Sequence, residues 1–197
     1  MMPETDGCEL CRVLKGELKT SHIPIILLTA KASEENIIEG LETKADDYIT
    51  KPFNKKILMA RIKNLIELRR QLQQKFQQQI CLHPDEIEIS SVDQEFIKEL
   101  QDVIEKNLSD PKFHVEQLSE KLYMNRVTLF RKIKALTGET PTEYIRSYRL
   151  LRAAQLLKDN FGNVSEVAIE VGFSNLGYFT RCFKEKFQQL PSEYQAS

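Results

Sequence analysis

Two stretches toward the C-terminal end of the chain are copies of one another, and that duplication constrains the fold more than any other feature. LYMNRVTLFRKIKALTGETPTEY ends at Tyr144, and VGFSNLGYFTRCFKEKFQQLPSEY ends at Tyr194. Leu129 and Phe179, Arg131 and Arg181, Ile133 and Phe183, and Pro141 and Pro191 pair at an offset of 50, whereas Leu118 and Val167 pair at 49. The second copy therefore carries one extra residue in its turn. Two copies are too few to stack as a solenoid, so they read as a pair of like modules.

Each copy reads as a short helix, a tight turn and a second helix. In the first, VEQLSEKLYM leads to Asn125, a residue type that caps helices, and RVTLFRKIKAL follows. Leu129, Ile133 and Leu136 form an inward stripe at i, i+4 and i+7, which turns Arg126, Val127, Phe130, Arg131 and Lys134 outward. In the second, Ser174 or Asn175 caps LGYFTRCFKEKF. Phe179, Phe183 and Phe187 point in, and Leu176, Gly177, Tyr178, Thr180, Arg181 and Lys184 have freer faces. Short helix, turn and helix with early polar and basic outward residues is helix-turn-helix geometry.

Between the modules, TPTEYIRSYRLLRAAQLLKDN is a helix with clear punctuation. Thr140 and Glu143 form a capping box, Pro141 takes the first-turn position, and the end falls near Asn160 and Gly162. A helix of about 18 residues spans about 27 Å. Successive major-groove segments on one side of B-DNA lie roughly 34 Å apart, so such a spacer lets both second helices reach one duplex.

The residue types suit that task. Arg126, Arg131 and Arg181 can fork onto guanine edges, and Val127, Leu176 or Tyr178 can touch thymine methyls, with Phe130 beside them as a base-reading candidate. Thr128, Lys132, Lys134, Arg146, Thr180 and Lys184 are candidate phosphate contacts, which set register without reading sequence. The alternative is structural: Arg131 and Arg181 recur at one position and can brace the helix pair, and Phe130 and Tyr178 can be packing residues.

Charge supports a polyanionic partner even though the whole chain carries a net charge of only −1. Asp85 to Glu120 holds eleven acids against three lysines, whereas Lys121 to Arg152 holds eight Lys/Arg against Glu139 and Glu143. Hidden in the total is a basic segment, which is also what a solvated helical face would contain. Catalysis finds little support: His22, His83 and His114 are scattered, and neither a Gly-rich phosphate loop nor a nucleophile with a base at recognisable spacing is present. Cys8-x-x-Cys11 has no second pair, so it and Cys81 and Cys182 read as reduced thiols and no metal site is expected. No apolar run approaches 18 residues, so no membrane contact by this segment and a cytoplasmic location are expected.

The N-terminal part has a different pattern. HIPIILLTA, His22 to Ala30, is a short apolar run expected to be a parallel strand buried on both faces. Ser33 can cap a helix carrying Ile37, Ile38 and Leu41, and DDYITKPF reads as a second strand closed by Lys51-Pro52. Strand, helix, strand implies a parallel sheet. Asn54 then caps a long helix with Leu58, Leu65 and Leu72 seven apart and Ile62 and Phe76 between, a candidate coiled-coil stripe. Pro84 and Ser90-Ser91 break that pattern. The expected organisation is an α/β remnant of two parallel strands with helices over 1–68, a helical extension and linker over 69–91, and an all-α double helix-turn-helix domain over 92–197.

Met124 to Tyr194, with GFSNLGYFTRCFKEKF…LPSEY as its signature, resembles the double helix-turn-helix domain of AraC/XylS-type transcription regulators. The resemblance implies double-stranded DNA as partner, with RNA polymerase and a second copy of the chain as further candidates. Gly177 places no side chain where that family commonly has a base-reading one, so weaker reading by the second module is expected.

MMPETDGCELCRVLK…HIPIILLTAK…GLETKADDYITKPF resembles the second half of a response-regulator receiver domain, a doubly wound sheet of strand order 2-1-3-4-5. In that family the phosphoaccepting aspartate lies just before the MMPxxDG loop, a position that here precedes Met1, and the acidic pair that binds Mg²⁺ is likewise not contained in the chain. By resemblance Thr29 bonds the phosphoryl group, Lys51 pairs with it, the Lys51-Pro52 bond is cis, and Tyr48 is the aromatic that moves inward on activation. The chain alone is expected not to autophosphorylate, to need no cofactor, and to leave one edge of HIPIILLTA unpaired. The join of receiver to DNA-binding module resembles the C-terminal end of hybrid two-component sensor regulators, long membrane-anchored proteins, which suggests a fragment or a truncated gene product. The competing function is a phospho-independent dimerisation or adaptor protein working through the Leu58/Leu65/Leu72 stripe.

Overall fold

A computed structural model describes residues 6–29, 43–79 and 90–196. The chain divides into two compact units, residues 1–96 with 135–138, and residues 97–134 with 139–197.

The first unit opens with α1, Gly7–Gly16, which buries Cys11 with its thiol 3.7 Å from the Thr43 carbonyl. Strands β1, Ile26–Thr29, and β2, Asp47–Thr50, pair in parallel with Ile26 opposite Asp47 and Thr29 opposite Thr50. The ladder is shorter than the apolar run that encodes it, because Pro24 has no N–H to contribute. Pairing begins just beyond, where the Ile25 carbonyl accepts from the Asp46 and Asp47 amides at 3.0 and 3.3 Å. β1 is not buried on both faces as expected: Leu28 is 41% exposed, whereas Ile49 of β2 is buried. The Ser33-capped helix with Ile37, Ile38 and Leu41 lies outside the described residues, as do His83 and residues 80–89 of the linker expected over 69–91.

Helix α2, Lys55–Gln79, starts where expected: the Asn54 side chain accepts from the Lys56 amide at 2.8 Å. Leu58, Ile62, Leu65 and Leu72 form a half-buried stripe, and Arg69 on the same side donates to the His22 carbonyl. Burial pushes the Arg69 guanidinium below its usual range. The Phe76 side chain lies outside the described set.

All the remaining described elements are helical: α3 Ser91–Glu105, α4 Val115–Lys121, α5 Arg126–Thr137, α6 Pro141–Lys158, α7 Val164–Glu170, α8 Leu176–Phe187 and α9 Pro191–Gln195. α6 is the 18-residue connecting helix, and its capping box is formed: Thr140 Oγ1 accepts from the Glu143 amide at 3.3 Å while Glu143 accepts from the Thr140 amide at 2.7 Å. Its C-terminal half, Leu150, Ala153, Ala154 and Leu157, shares one core with Val167, Val171, Phe173, Phe179 and Phe183. Small alanines on α6 admit the large rings of α8. Those rings stack at angles, Phe173 to Phe179 at 5.1 Å, Phe179 to Phe183 at 5.6 Å and Phe183 to Tyr194 at 5.4 Å, each such contact being worth about 0.5 to 1.5 kcal/mol beyond area burial.

Candidate nucleic-acid interface

The two helix-turn-helix modules repeat each other bond by bond. In α4 and its turn, Leu122 N donates to Leu118 O at 3.1 Å, Tyr123 N to Glu120 O at 3.1 Å and Met124 N to Ser119 O at 3.0 Å. The second module has the same three bonds 49 residues on, Val171 to Val167, Gly172 to Ile169 and Phe173 to Ala168, at 3.1, 2.9 and 2.9 Å. Beyond the turn the offset becomes 50: Asn125 Oδ1 accepts from the Thr128 amide at 2.8 Å, and Asn175 Oδ1 from the Tyr178 amide at 2.7 Å. The inserted residue is thus Ser174, and Asn175 is the cap. Tyr123 and Gly172 occupy equivalent places and both have positive φ, 51° and 79°.

On the second helices, α5 and α8, Leu129, Ile133, Phe179 and Phe183 are fully buried and Leu136 is buried, as expected, whereas Phe187 at the end of α8 is half-buried. Of the candidate base readers, Val127 is 59% exposed, Phe130 46%, Leu176 45% and Tyr178 40%, and Arg126, Arg131 and Arg181 are exposed as well. Four of the seven are apolar or aromatic, so these two faces present hydrophobic as well as cationic side chains to solvent.

The phosphate candidates divide. Lys134 and Lys184, equivalent positions, are both exposed. Thr128 is half-buried at the first turn of α5. Lys132 is a correction: it is fully buried, so its ammonium is not presented to a DNA backbone. The reason is helical geometry, since position 132 lies three residues after Leu129 and beside Ile133, on the inward side. Thr180 donates its single hydroxyl proton to the Leu176 carbonyl at 2.9 Å, which leaves no donor for a phosphate oxygen in this conformation. Arg146 is half-buried in α6 and donates to the Tyr178 hydroxyl at 3.3 Å, a bond that holds its guanidinium charged.

Other contacts were not anticipated. Arg126 pairs with Glu116 of α4 at 2.7 Å, and Glu116 also lies 3.2 Å from His114. Such an exposed pair contributes about 0 to 1 kcal/mol, little enough for a guanine edge to replace the carboxylate. The Arg181 guanidinium sits 5.3 Å above the centre of the Tyr178 ring. Arg149 of α6 donates to the Asp110 carbonyl at 2.6 Å and lies against Gly172, where an added Cβ would be 2.3 Å from the Leu108 carbonyl. The only sequence signal for that close approach is the glycine itself, aligned with Tyr123.

In the first unit Thr29, Lys51 and Pro52 lie at the C-terminal ends of the two strands, whereas Tyr48 is the second residue of β2. Thr29 ends β1, and its carbonyl accepts from the Lys51 amide at 2.6 Å, just past the end of β2. The Lys51-Pro52 bond is cis, as the resemblance implied, and Lys51 and Pro52 are exposed. Tyr48 is half-buried opposite Leu27. Among the described residues no group of three or more His, Cys, Asp or Glu is placed to hold a metal ion, and no helix is long and apolar enough to cross a membrane.

Comparison with known proteins matches two separate stretches of the chain. Residues 1–63 match the response regulator receiver domain, and residues 118–197 match a helix-turn-helix domain. Histidine kinase P4 of Formosa agariphila is 47% identical over 195 residues, 99% of this chain. The phosphate regulon transcriptional regulatory protein PhoB of Pseudomonas aeruginosa is 56% identical over 66 residues, 34% of this chain. The chain spans 14% and 29% of the lengths of those two relatives. A crystal structure of a transcriptional regulator with an AraC-type DNA-binding domain, from Chromobacterium violaceum, superposes with a TM-score of 0.50 at 25% identity, covering 54% of this chain and 95% of that one. The chain joins part of a response-regulator receiver domain to an AraC-type helix-turn-helix DNA-binding domain.

Proposed function

We propose that the chain is a sequence-specific transcription regulator of the two-component type, with α5 and α8 reading adjacent major-groove segments of one duplex. The observation that carries this reading is the matched exposure of the two second helices. Equivalent positions that the core does not use, 126 with 176, 127 with 177, 131 with 181 and 134 with 184, are all exposed. Arg126, Val127, Phe130 and Arg131 read bases for the first module, and Leu176, Tyr178 and Arg181 for the second. Lys134 and Lys184 contact phosphates, with Thr128 beside them. Because positions 126 and 176 hold Arg and Leu, and 127 and 177 hold Val and Gly, with only Arg131 and Arg181 shared among the base readers, the two half-sites differ in sequence.

In the receiver part, Thr29 and Lys51 supply a hydroxyl and a cation at adjoining strand ends, the chemistry a phosphoryl group needs, and Tyr48 follows its arrival. A second copy and RNA polymerase are further partners of this reading, which places the chain's work in the cytoplasm. The half-buried stripe of α2, together with Ile57, Met59, Ile66 and Leu68, each at least 50% exposed, favours self-association as well.

Binding-site selection on random duplexes, followed by titration at several salt concentrations, tests the reading. A two-part motif and a steep salt dependence are expected, and Arg126→Ala with Arg181→Ala should cost roughly 30-fold or more in affinity. No enriched motif, together with unchanged affinity in the double variant, would sink it. A sedimenting dimer that ignores DNA would favour the adaptor role.

A further inference from the structure

We propose that Arg146 is a positioning residue of the second module: by holding the Tyr178 hydroxyl it fixes the platform on which Arg181 rests, and so sets discrimination at the second half-site. The proposal rests on the DNA-binding reading above and replaces the phosphate contact expected of Arg146.

Tyr178 is held at three points. Its amide donates to Asn175 Oδ1 at 2.7 Å, its ring meets Phe173 at 6.0 Å between centroids, and its hydroxyl oxygen accepts from Arg146 Nη1 at 3.3 Å. A ring fixed in this way offers one face to the Arg181 guanidinium at 5.3 Å, a cation–π distance. A flexible arginine would lose much of its side-chain freedom on gripping a base edge, and an arginine already resting on a fixed ring loses less. Gly177 beside Tyr178 leaves the outer surface of this helix turn open.

The first module has no such arrangement. The position equivalent to Tyr178 is Thr128, so Arg131 has no aromatic beneath it from that position. Arg146 itself is half-buried on the wall of a cleft of about 220 Å³ between α6 and the second turn, with one N–H committed to Tyr178. A phosphate anchor needs the opposite, a guanidinium open to solvent with its fork unengaged. The weak reading expected of the second module from Gly177 is offset by a more rigid Arg181.

The test uses the full chain, the duplex selected by the wild type, and the same duplex with the second half-site scrambled. Arg146→Gln and Tyr178→Phe should each lower the affinity ratio between the two duplexes on the order of tenfold, within the range of one bidentate base contact. The slope of log affinity against log salt should stay unchanged. Lys184→Gln is the contrasting control, with a loss shared by both duplexes and a slope smaller by about 0.9. Tyr178→Phe keeps the ring and removes only the hydroxyl, so its effect reports the link to Arg146 and not the fold. If Arg146→Gln weakened both duplexes alike and reduced the slope, or left the ratio unchanged, the positioning role would be overturned. A wild type that selects no motif would instead overturn the reading beneath it.

Discussion

The turns at Leu122–Asn125 and Val171–Asn175 make the same main-chain bonds, yet one places a tyrosine and the other a glycine at the left-handed residue. Tyr123 is 94% exposed, and its side chain extends into solvent. Gly172 is buried, with the Leu108 carbonyl and the Arg149 guanidinium against it. The same backbone problem thus has two solutions. Where the turn is open, a non-glycine residue accepts a left-handed conformation at about 1 to 2 kcal/mol, and where another segment presses on it, only the absence of Cβ suffices. The cores differ in parallel: aliphatic Leu129, Ile133 and Leu136 in the first module, a connected set of phenylalanines in the second.

Gly172→Ala is the sharpest way to break this comparison. The new Cβ would meet backbone, which cannot swing aside, and would sit at a φ of 79°. A loss of about 3 kcal/mol or more is expected in chemical denaturation. Tyr123→Gly at the matching place removes strain and no packing, so it should shift stability by under about 1 kcal/mol, toward gain. Comparable losses at both sites would mean that the two turns are not the same device.

Lys132 and Cys182 are equivalent in the repeat, and both are buried. Lys134 and Lys184, two positions on, are both exposed. Lys132→Met should therefore leave the salt dependence of DNA binding unchanged, whereas Lys134→Met should lower its slope by about 0.9. A fall in slope for Lys132→Met, measured by anisotropy across salt, would show that its ammonium reaches the backbone after all.

These pairs show what was readable in advance. The change from offset 49 to 50 located an inserted residue, and the main-chain bonds identify it as Ser174 because local turn geometry is written in local sequence. An inward stripe at i, i+4 and i+7 leaves out i+3, the place Lys132 takes. The equivalent Cys182 carries the signal for that burial, since cysteine is a residue type that is commonly buried. The contacts of Arg149 with Asp110 and of Arg146 with Tyr178 join residues 39 and 32 positions apart and leave no periodic trace. In the receiver part the strand ends bearing Thr29 and Lys51 were legible, but the length of β1 was not, because hydropathy records burial preference while Pro24 decides where the ladder can begin.

The smallest difference between the modules lies in their following helices. Pro141 and Pro191 both open a helix, and Glu143 and Glu193 accept from the amides of Thr140 and Leu190 at 2.7 and 2.9 Å. Thr140 returns a hydroxyl bond to the Glu143 amide, and leucine has no acceptor to do so. The Thr140 amide, then its hydroxyl, hold the Glu143 carboxyl below the usual carboxylate range. A carboxyl depressed on folding adds stability that is complete above its unfolded value and is lost as pH falls through the folded one. Glu143→Gln should accordingly cost less than about 1 kcal/mol at pH 7, because solvent still screens this half-buried carboxylate, and the variant and wild type should draw together as pH falls below the ordinary carboxylate value of about 4.3. Denaturation midpoints from pH 7 to 3 measure this, and a constant gap over that range would assign the difference to packing, not charge.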